Sequence, residues 1–168
     1  MTTHARSKLL WITVFGLGHM RPAPGTWGSL PPIAGAAVLL LLGSPAWVVS
    51  LAALVGLAAW SLGCVVQGDR AEARFAGKDP SQVVADEAAG QCIALLWLPA
   101  AAYASPGLAL WTLVLCFLSF RLFDIFKPWP ANALQRVPGG WGILLDDLVA
   151  GVYAMVLVHA MAGLGGGG

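Results

Sequence analysis

The sequence predicts an all-α fold, a polytopic membrane bundle of four to five transmembrane helices with a polar site on its cytoplasmic side. Three observations carry that reading. The first is composition: of 168 residues, 58% are hydrophobic and 10% charged, against about 25% charged in an average soluble domain. The second is distribution, since no Asp, Glu, Lys or Arg occurs from Pro22 to Gly68, from Ala88 to Phe120 or from Leu148 to Gly168. Each gap can hold a membrane helix of about 20 residues, and the first two can hold a pair. The third is punctuation: Gly43-Ser44-Pro45 and Ser105-Pro106-Gly107 interrupt the two longer gaps without adding charge, as expected of tight hairpins at the far membrane surface.

The basic N-terminus, Met1–Lys8, precedes an apolar run, but Gly16-Leu17-Gly18-His19-Met20-Arg21 follows it without a small-x-small cleavage pattern. The segment is therefore expected to be retained, with Leu9–Leu17 lying at the interface rather than spanning. Ser29-Leu30-Pro31-Pro32 reads as an N-cap followed by first-turn prolines, which starts a first helix ending at Leu42. A second helix is expected over Ala46–Gln67, a polar stretch over Asp69–Glu87, a third helix over Asp86–Ala104 and a fourth over Leu108–Lys127, where Pro128-Trp129-Pro130 stops it. A fifth helix is expected over Ile143–Leu164. Residues 1–164 form one membrane-embedded domain in this reading, and Gly165–Gly168 a flexible tail.

Counting lysine and arginine sets the orientation, because short cytoplasmic loops are enriched in them. With the N-terminus inside, all nine fall on the cytoplasmic side and the two hairpins carry none. A net charge of +1 leaves no electrostatic footprint for nucleic acid. Cys64, Cys92 and Cys116 lie within apolar segments, odd in number and without pair spacing. They read as buried small hydrophobes rather than disulfides, zinc ligands or nucleophiles. His159, in the last helix, reads as a hydrogen-bonded packing residue.

Two helices open with adjacent acids followed by a glycine about one turn on: Asp86-Glu87 with Gly90, and Asp146-Asp147 with Gly151. Capping and helix packing account for such a pattern in part. In an apolar run, however, a single acid at mid-bilayer costs roughly 2.5–3.5 kcal/mol, so two adjacent acids need a cation or a wet cavity. Arg121, Asp124 and Lys127 recur every three residues and share a broad helix face. Snorkelling with one ion pair explains them if they stand alone. Beside two acid pairs they form a mixed cluster suited to Mg²⁺ and phosphate, the carboxylates holding the metal and the cations neutralising phosphate oxygens.

Four motifs in order carry a family resemblance: Pro24-Gly25-Thr26-Trp27-Gly28-Ser29; Lys78-Asp79-Pro80 leading to Asp86-Glu87-Ala88-Ala89-Gly90; Phe123-Asp124-Ile125-Phe126-Lys127-Pro128-Trp129-Pro130; and Gly139-Gly140-Trp141-Gly142-Ile143 to Asp146-Asp147 with Ala150-Gly151. Over about residues 12 to 155 the chain resembles phosphatidylglycerophosphatase A. The resemblance implies a Mg²⁺-dependent phosphatase of the bacterial inner membrane, working among membrane lipids on phosphatidylglycerophosphate to give phosphatidylglycerol; the gathering of the charged residues on one side places that work at the cytoplasmic leaflet. Homo-oligomers are compatible with it. It implies catalytic roles for Asp86, Glu87, Asp124, Asp146 and Asp147, and metal ligation by Asp79, Asp86, Glu87, Asp146 and Asp147. Phosphate contacts fall to Arg121, Lys127, Arg136, Thr26, Ser29 and Lys78. Family members often carry an acid and paired arginines before the Gly-Gly, where Leu134-Gln135-Arg136-Val137 supplies one arginine and no acid.

No Cys-x5-Arg loop or Asp-x-Asp-x-Thr motif is present, so attack by an activated water is expected rather than a covalent phosphoenzyme. Two rival functions remain in view. Asp69-Arg70-Ala71-Glu72-Ala73-Arg74 with Gly77 faintly resembles the signature of CDP-alcohol phosphotransferases, although the Asp-Gly opening and the later paired Asp-x3-Asp are absent. A small transporter or assembly subunit would place ionisable groups near mid-membrane, whereas here they gather on one side.

Overall fold

Long apolar runs become helices here, several of them stopped by a glycine or proline. The protein, described by a computed structural model over residues 9–135 and 137–165, is helical throughout. In chain order, α1 spans Pro24–Leu41, α2 Ala46–Phe75, α3 Ala85–Ala94, α4 Pro106–Phe126, α5 the single turn Ala131–Leu134 and α6 Gly140–Gly165, with 3-10 turns at Leu17–His19 and Ala100–Tyr103. Among the described residues there is no strand. Three helices, α2, α4 and α6, are long and apolar enough to cross a membrane. Their outward faces carry Leu51, Val55, Leu110, Trp111, Leu118 and Val156, all exposed, as lipid-facing positions should be.

The short α3 is the hub. It packs against α1, α2, α4 and α6, and every one of its residues except Glu87 is buried. Alanine, glycine and cysteine dominate it, so four neighbours can approach closely. Its N-terminus is held from outside the helix. The Leu9–Leu17 stretch forms no spanning helix, and its buried Ile12 accepts hydrogen bonds from the Val84 and Ala85 N–H groups at 3.0 and 3.1 Å.

Four element boundaries differ from the sequence reading by three residues or more. The helix expected to start at Ser29 starts at Pro24, which takes the first-turn proline position. Pro31 and Pro32 therefore lie inside α1, where they leave the carbonyls one turn earlier without their usual N–H partners. Ser29 is not an N-cap; it is buried, and its hydroxyl donates to the Gly25 carbonyl at 2.8 Å. The second helix does not end at Gln67 but continues through Asp69–Arg74 to Phe75. At 30 residues and about 1.5 Å each it exceeds a hydrocarbon core of about 30 Å, so its charged last turns stand beyond the apolar layer.

The third helix, expected to reach Ala104, stops at Ala94, and the chain turns through Leu95–Trp97. Trp97 takes a positive φ of 50°, its N–H donates to Ser50 Oγ at 3.2 Å, and His159 Nε2 lies 2.7 Å from its carbonyl oxygen. Partners on α2 and α6 thus replace the helical bonds lost before Pro99. This is the packing role expected of His159. The last helix begins at Gly140, earlier than Ile143, and includes Gly165. Residues 166–168 of the expected tail lie outside the described residues, as does Arg136.

Close contacts bring one end of each helix together. Gly25 abuts Glu87 and Arg121, Gly68 abuts Gly140, and Lys127 pairs with Asp146. The N-terminal ends of α1, α3 and α6 therefore meet the C-terminal ends of α2 and α4 at a single end of the bundle.

Candidate metal and phosphate site

Two glycines build the site. A Cβ added at Gly90 would sit 2.5 Å from the Asp147 carbonyl oxygen and 2.5 Å from the Phe120 ring, and one added at Gly151 would collide with the Gly90 carbonyl. Only bare backbone fits where α3 crosses α6, and that crossing sets the acids of α3 against those of α6. The small residues following each acid pair thus act as expected.

Asp86, Glu87 and Asp147 converge, each offering a carboxylate oxygen within 4.8 Å of the others. Asp86 and Asp147 are buried and Glu87 is half-buried. Asp86 Oδ1, Glu87 Oε2 and Asp147 Oδ2 are sealed from solvent without a hydrogen-bond donor. Buried oxygens of this kind are ordinarily partnered, and uncompensated carboxylate charge is costly to bury. A cation placed among them would satisfy all three at once. The donors are hard oxygens only, the set favoured by Mg²⁺, Mn²⁺ or Ca²⁺ over softer metals.

Asp146 is anchored from outside the group through one oxygen, while its Oδ1, like the oxygens of the trio, is buried without a partner. Its Oδ2 pairs with Lys127 Nζ and accepts a hydrogen bond from Gln135 Nε2 at 2.9 Å. Among the described residues it is not part of the three-carboxylate group. Lys127, which caps α4 in a left-handed conformation at φ 43°, also lies 4.0 Å from Asp124 Oδ1. Partial burial pulls its ammonium down, but the Asp146 hydrogen bond and the charges of Asp146, Asp147 and Asp124 outweigh burial and hold it above the usual lysine range. Lys127 is thus a fixed positive charge. Arg121 Nη1 lies 2.6 Å from Asp124 Oδ2, an i,i+3 pair that aims the guanidinium toward the first turn of α1. A Cβ at Gly25 would come within 3.0 Å of that same Nη1.

The remaining sequence-predicted residues take outer positions. Thr26 is half-buried in the first turn of α1, while the Ser29 hydroxyl is committed to its own helix. Lys78 and Asp79 are exposed on the loop after α2, with the Asp79 N–H 3.4 Å from Glu72 Oε1. Asp79 stands outside the three-carboxylate group. Asp69, Arg70, Glu72 and Arg74, the segment with the faint phosphotransferase likeness, continue α2 and take no part in that group. The three cysteines are buried and free.

Three participants had gone unnoticed in the sequence. Gln135 fixes Asp146 from the loop after α5. The Ile12 carbonyl holds the entry to α3. Gln91, one turn below Glu87, is fully buried with neither amide atom partnered. Of these only Gln91 had a readable signal, as a lone polar residue between Gly90 and the apolar run that follows.

Comparison with known proteins agrees with the geometry. A Haemophilus influenzae protein named phosphatidylglycerophosphatase A is 35% identical over 149 residues, 88% of this chain and 83% of the relative. An Escherichia coli protein of the same name is 33% identical over 148 residues, 86% and 77% of the two chains. A Bacteroides thetaiotaomicron protein, 35% identical over 147 residues and 87% of each chain, is named as a candidate phosphatidylinositol-3-phosphatase. No solved structure matches this chain. The family model for phosphatidylglycerophosphatase A covers residues 10–162, which takes in every converging acid and both cations of the site, and the chain belongs to that family.

Proposed function

We propose that this protein is a Mg²⁺-dependent lipid phosphatase of the bacterial inner membrane that hydrolyses phosphatidylglycerophosphate to phosphatidylglycerol and inorganic phosphate at the cytoplasmic leaflet. The observation that carries the reading is the group Asp86, Glu87 and Asp147, three carboxylates with unpartnered buried oxygens facing Arg121 at one end of an apolar bundle. These acids would hold the ion, which supplies charge neutralisation at the phosphoryl oxygens and makes the attacking water more acidic.

The chain's own groups do the rest. Arg121, held by Asp124, and the first-turn N–H groups of α1 receive the phosphate, as basic side chains and helix N-termini commonly do. Lys127 neutralises Asp146 and leaves Asp147 free to face the site. A carboxylate oxygen of the trio takes the proton from the water as its oxygen bonds to phosphorus. The bond from phosphorus to the glycerol oxygen breaks, and that oxygen takes up, directly or through water, the proton the carboxylate had accepted.

Purified protein given phosphatidylglycerophosphate with Mg²⁺ should release phosphate, and chelation should stop it. Absence of turnover under both conditions would refute the reading. Phosphatidylinositol 3-phosphate belongs in the same assay as a competing substrate, given the name of the Bacteroides relative. Leaflet side is tested separately, with single cysteines at Ser44, Ser81, Ser105 and Asn132 in a cysteine-free background, labelled by an impermeant thiol reagent on intact spheroplasts. Labelling at 44 and 105 alone fits a cytoplasmic site; labelling at 81 or 132 reverses it.

A further inference from the structure

We propose that the groove between α1 and α2, floored by α3, is the binding track for one acyl chain of the lipid substrate. The inference rests on the lipid phosphatase reading and extends it to the part of the substrate that does not react. The groove has a volume of 590 Å³ and an almost wholly apolar lining that includes Pro31, Gly35, Leu39, Ala53, Gly56 and Cys92. Its size falls within the roughly 300–1,000 Å³ usual for small-molecule sites. Gly35 is exposed, and a Cβ built on it would touch nothing within 4 Å, so the groove is open along this edge to the surrounding lipid.

Its position relative to the carboxylates selects the occupant. Pro31 lies six residues beyond Gly25 on α1, and Cys92 five residues beyond Glu87 on α3. At about 1.5 Å per residue, both helices place the near end of the groove about 8–9 Å from the charged site. Two independent helices give nearly the same depth, which a folded headgroup spans: in phosphatidylglycerophosphate a glycerol, a phosphodiester and the diacylglycerol backbone lie between the terminal phosphate and the acyl chains. From there the lining continues to Leu39 on α1 and Val49 on α2, at least about 12 Å further along the helix axes. A phosphate held at Arg121 and the first turn of α1 therefore directs the attached hydrocarbon into this groove, where it makes close contact with small side chains.

The test is an obstruction. Gly35→Leu fills open space and replaces a poor helix former, and Ala53→Leu blocks the opposite wall as a second variant. With dipalmitoyl phosphatidylglycerophosphate in mixed micelles, either variant should raise KM by about tenfold, the equivalent of two methylene groups losing their burial, with kcat unchanged. The dibutanoyl substrate, whose chains enter the near end but stop short of Gly35 and Ala53, should show unaltered constants. Equal shifts for both chain lengths, or none for either, would overturn the proposal. A non-hydrolysable phosphonate analogue with a mid-chain diazirine gives a readout without turnover. Crosslinks should concentrate at Leu39 and Ala53 in the wild type and fall in Gly35→Leu; even labelling of outward positions such as Val114 and Val156 would overturn the groove. Should wild-type protein hydrolyse neither lipid, the phosphatase reading falls while the crosslink map still decides the groove.

Discussion

Asp86-Glu87 and Asp146-Asp147 look like copies of one device, yet the bundle uses them unequally. Both acids of the α3 pair join the three-carboxylate group, whereas the α6 pair is divided: Asp147 joins, and Asp146 turns to Lys127 and Gln135. The reason is geometric. Consecutive helical residues point about 100° apart, so two acids can share one target only where the target lies past the helix end or where one side chain is long enough to bend round. Asp86 and Glu87 sit in the first turn of α3, with the longer Glu87 reaching across. Asp146 and Asp147 lie two turns inside α6, flanked by neighbours on every side, and the second acid must be neutralised locally. An acid pair in a membrane helix is therefore not by itself a pair aimed at one common point.

That division can be broken from either side. The largest effect is expected from Asp147→Asn, which keeps shape and loses charge: phosphatase activity should fall at least about 100-fold, since even outer-shell changes at metal sites cost 10–100-fold, and titration calorimetry should show weakened Mg²⁺ binding. Glu87→Gln should behave alike. Asp146→Asn, by contrast, should leave Mg²⁺ affinity within about threefold, because Asp146 contributes no oxygen to the trio; equal losses of affinity at 146 and 147 would erase the distinction. Lys127→Ala strands a buried carboxylate and should destabilise the protein by about 2–3 kcal/mol in detergent unfolding, less than the 3–5 of a fully enclosed pair, as its side chain is 25% exposed.

Gly151→Ala comes next, at about 1–3 kcal/mol for overpacking, with a loss of activity that exceeds the loss of folded protein because the acids are pushed apart. Arg70→Ala should change stability by less than about 1 kcal/mol, as exposed charges do, and the assay should return nearly wild-type rates. A triple replacement of Cys64, Cys92 and Cys116 by alanine should also remain active, since burial and free thiols without basic partners give them no chemical part.

The charge gaps and the uncharged Gly/Pro breaks were enough to read a helical membrane bundle with its ionisable groups at one end, because desolvation cost leaves few other arrangements for such a chain. The convergence of Asp86, Glu87 and Asp147 was foreseeable from motif order and from the glycine after each pair. The inequality within the second pair was not, for it depends on Gln135, which no periodicity links to α6. Nor was the end of α3 at Ala94: Trp97 leaves helical geometry because Ser50 and His159, each more than 40 positions away in sequence, supply its backbone partners. The start of α1 was misplaced because two adjacent prolines normally mark a first turn, and here their missing donors fall inside a helix whose neighbours fill the space.

The contact between Gly90 and Gly151 has a mechanical meaning. Because main chain meets main chain, no rotamer change can lengthen or shorten the distance between α3 and α6 at that level. A bilayer that thickens or thins tilts its helices by several degrees, and helices in such contact must rock about the point where they touch. The three carboxylates sit within about one turn of this fulcrum, where the lever arm is shortest. The far ends, at Ser44 and Ser105, take up the displacement, so the spacing of the three carboxylates is insulated from the thickness of the membrane that the enzyme's own product helps to compose.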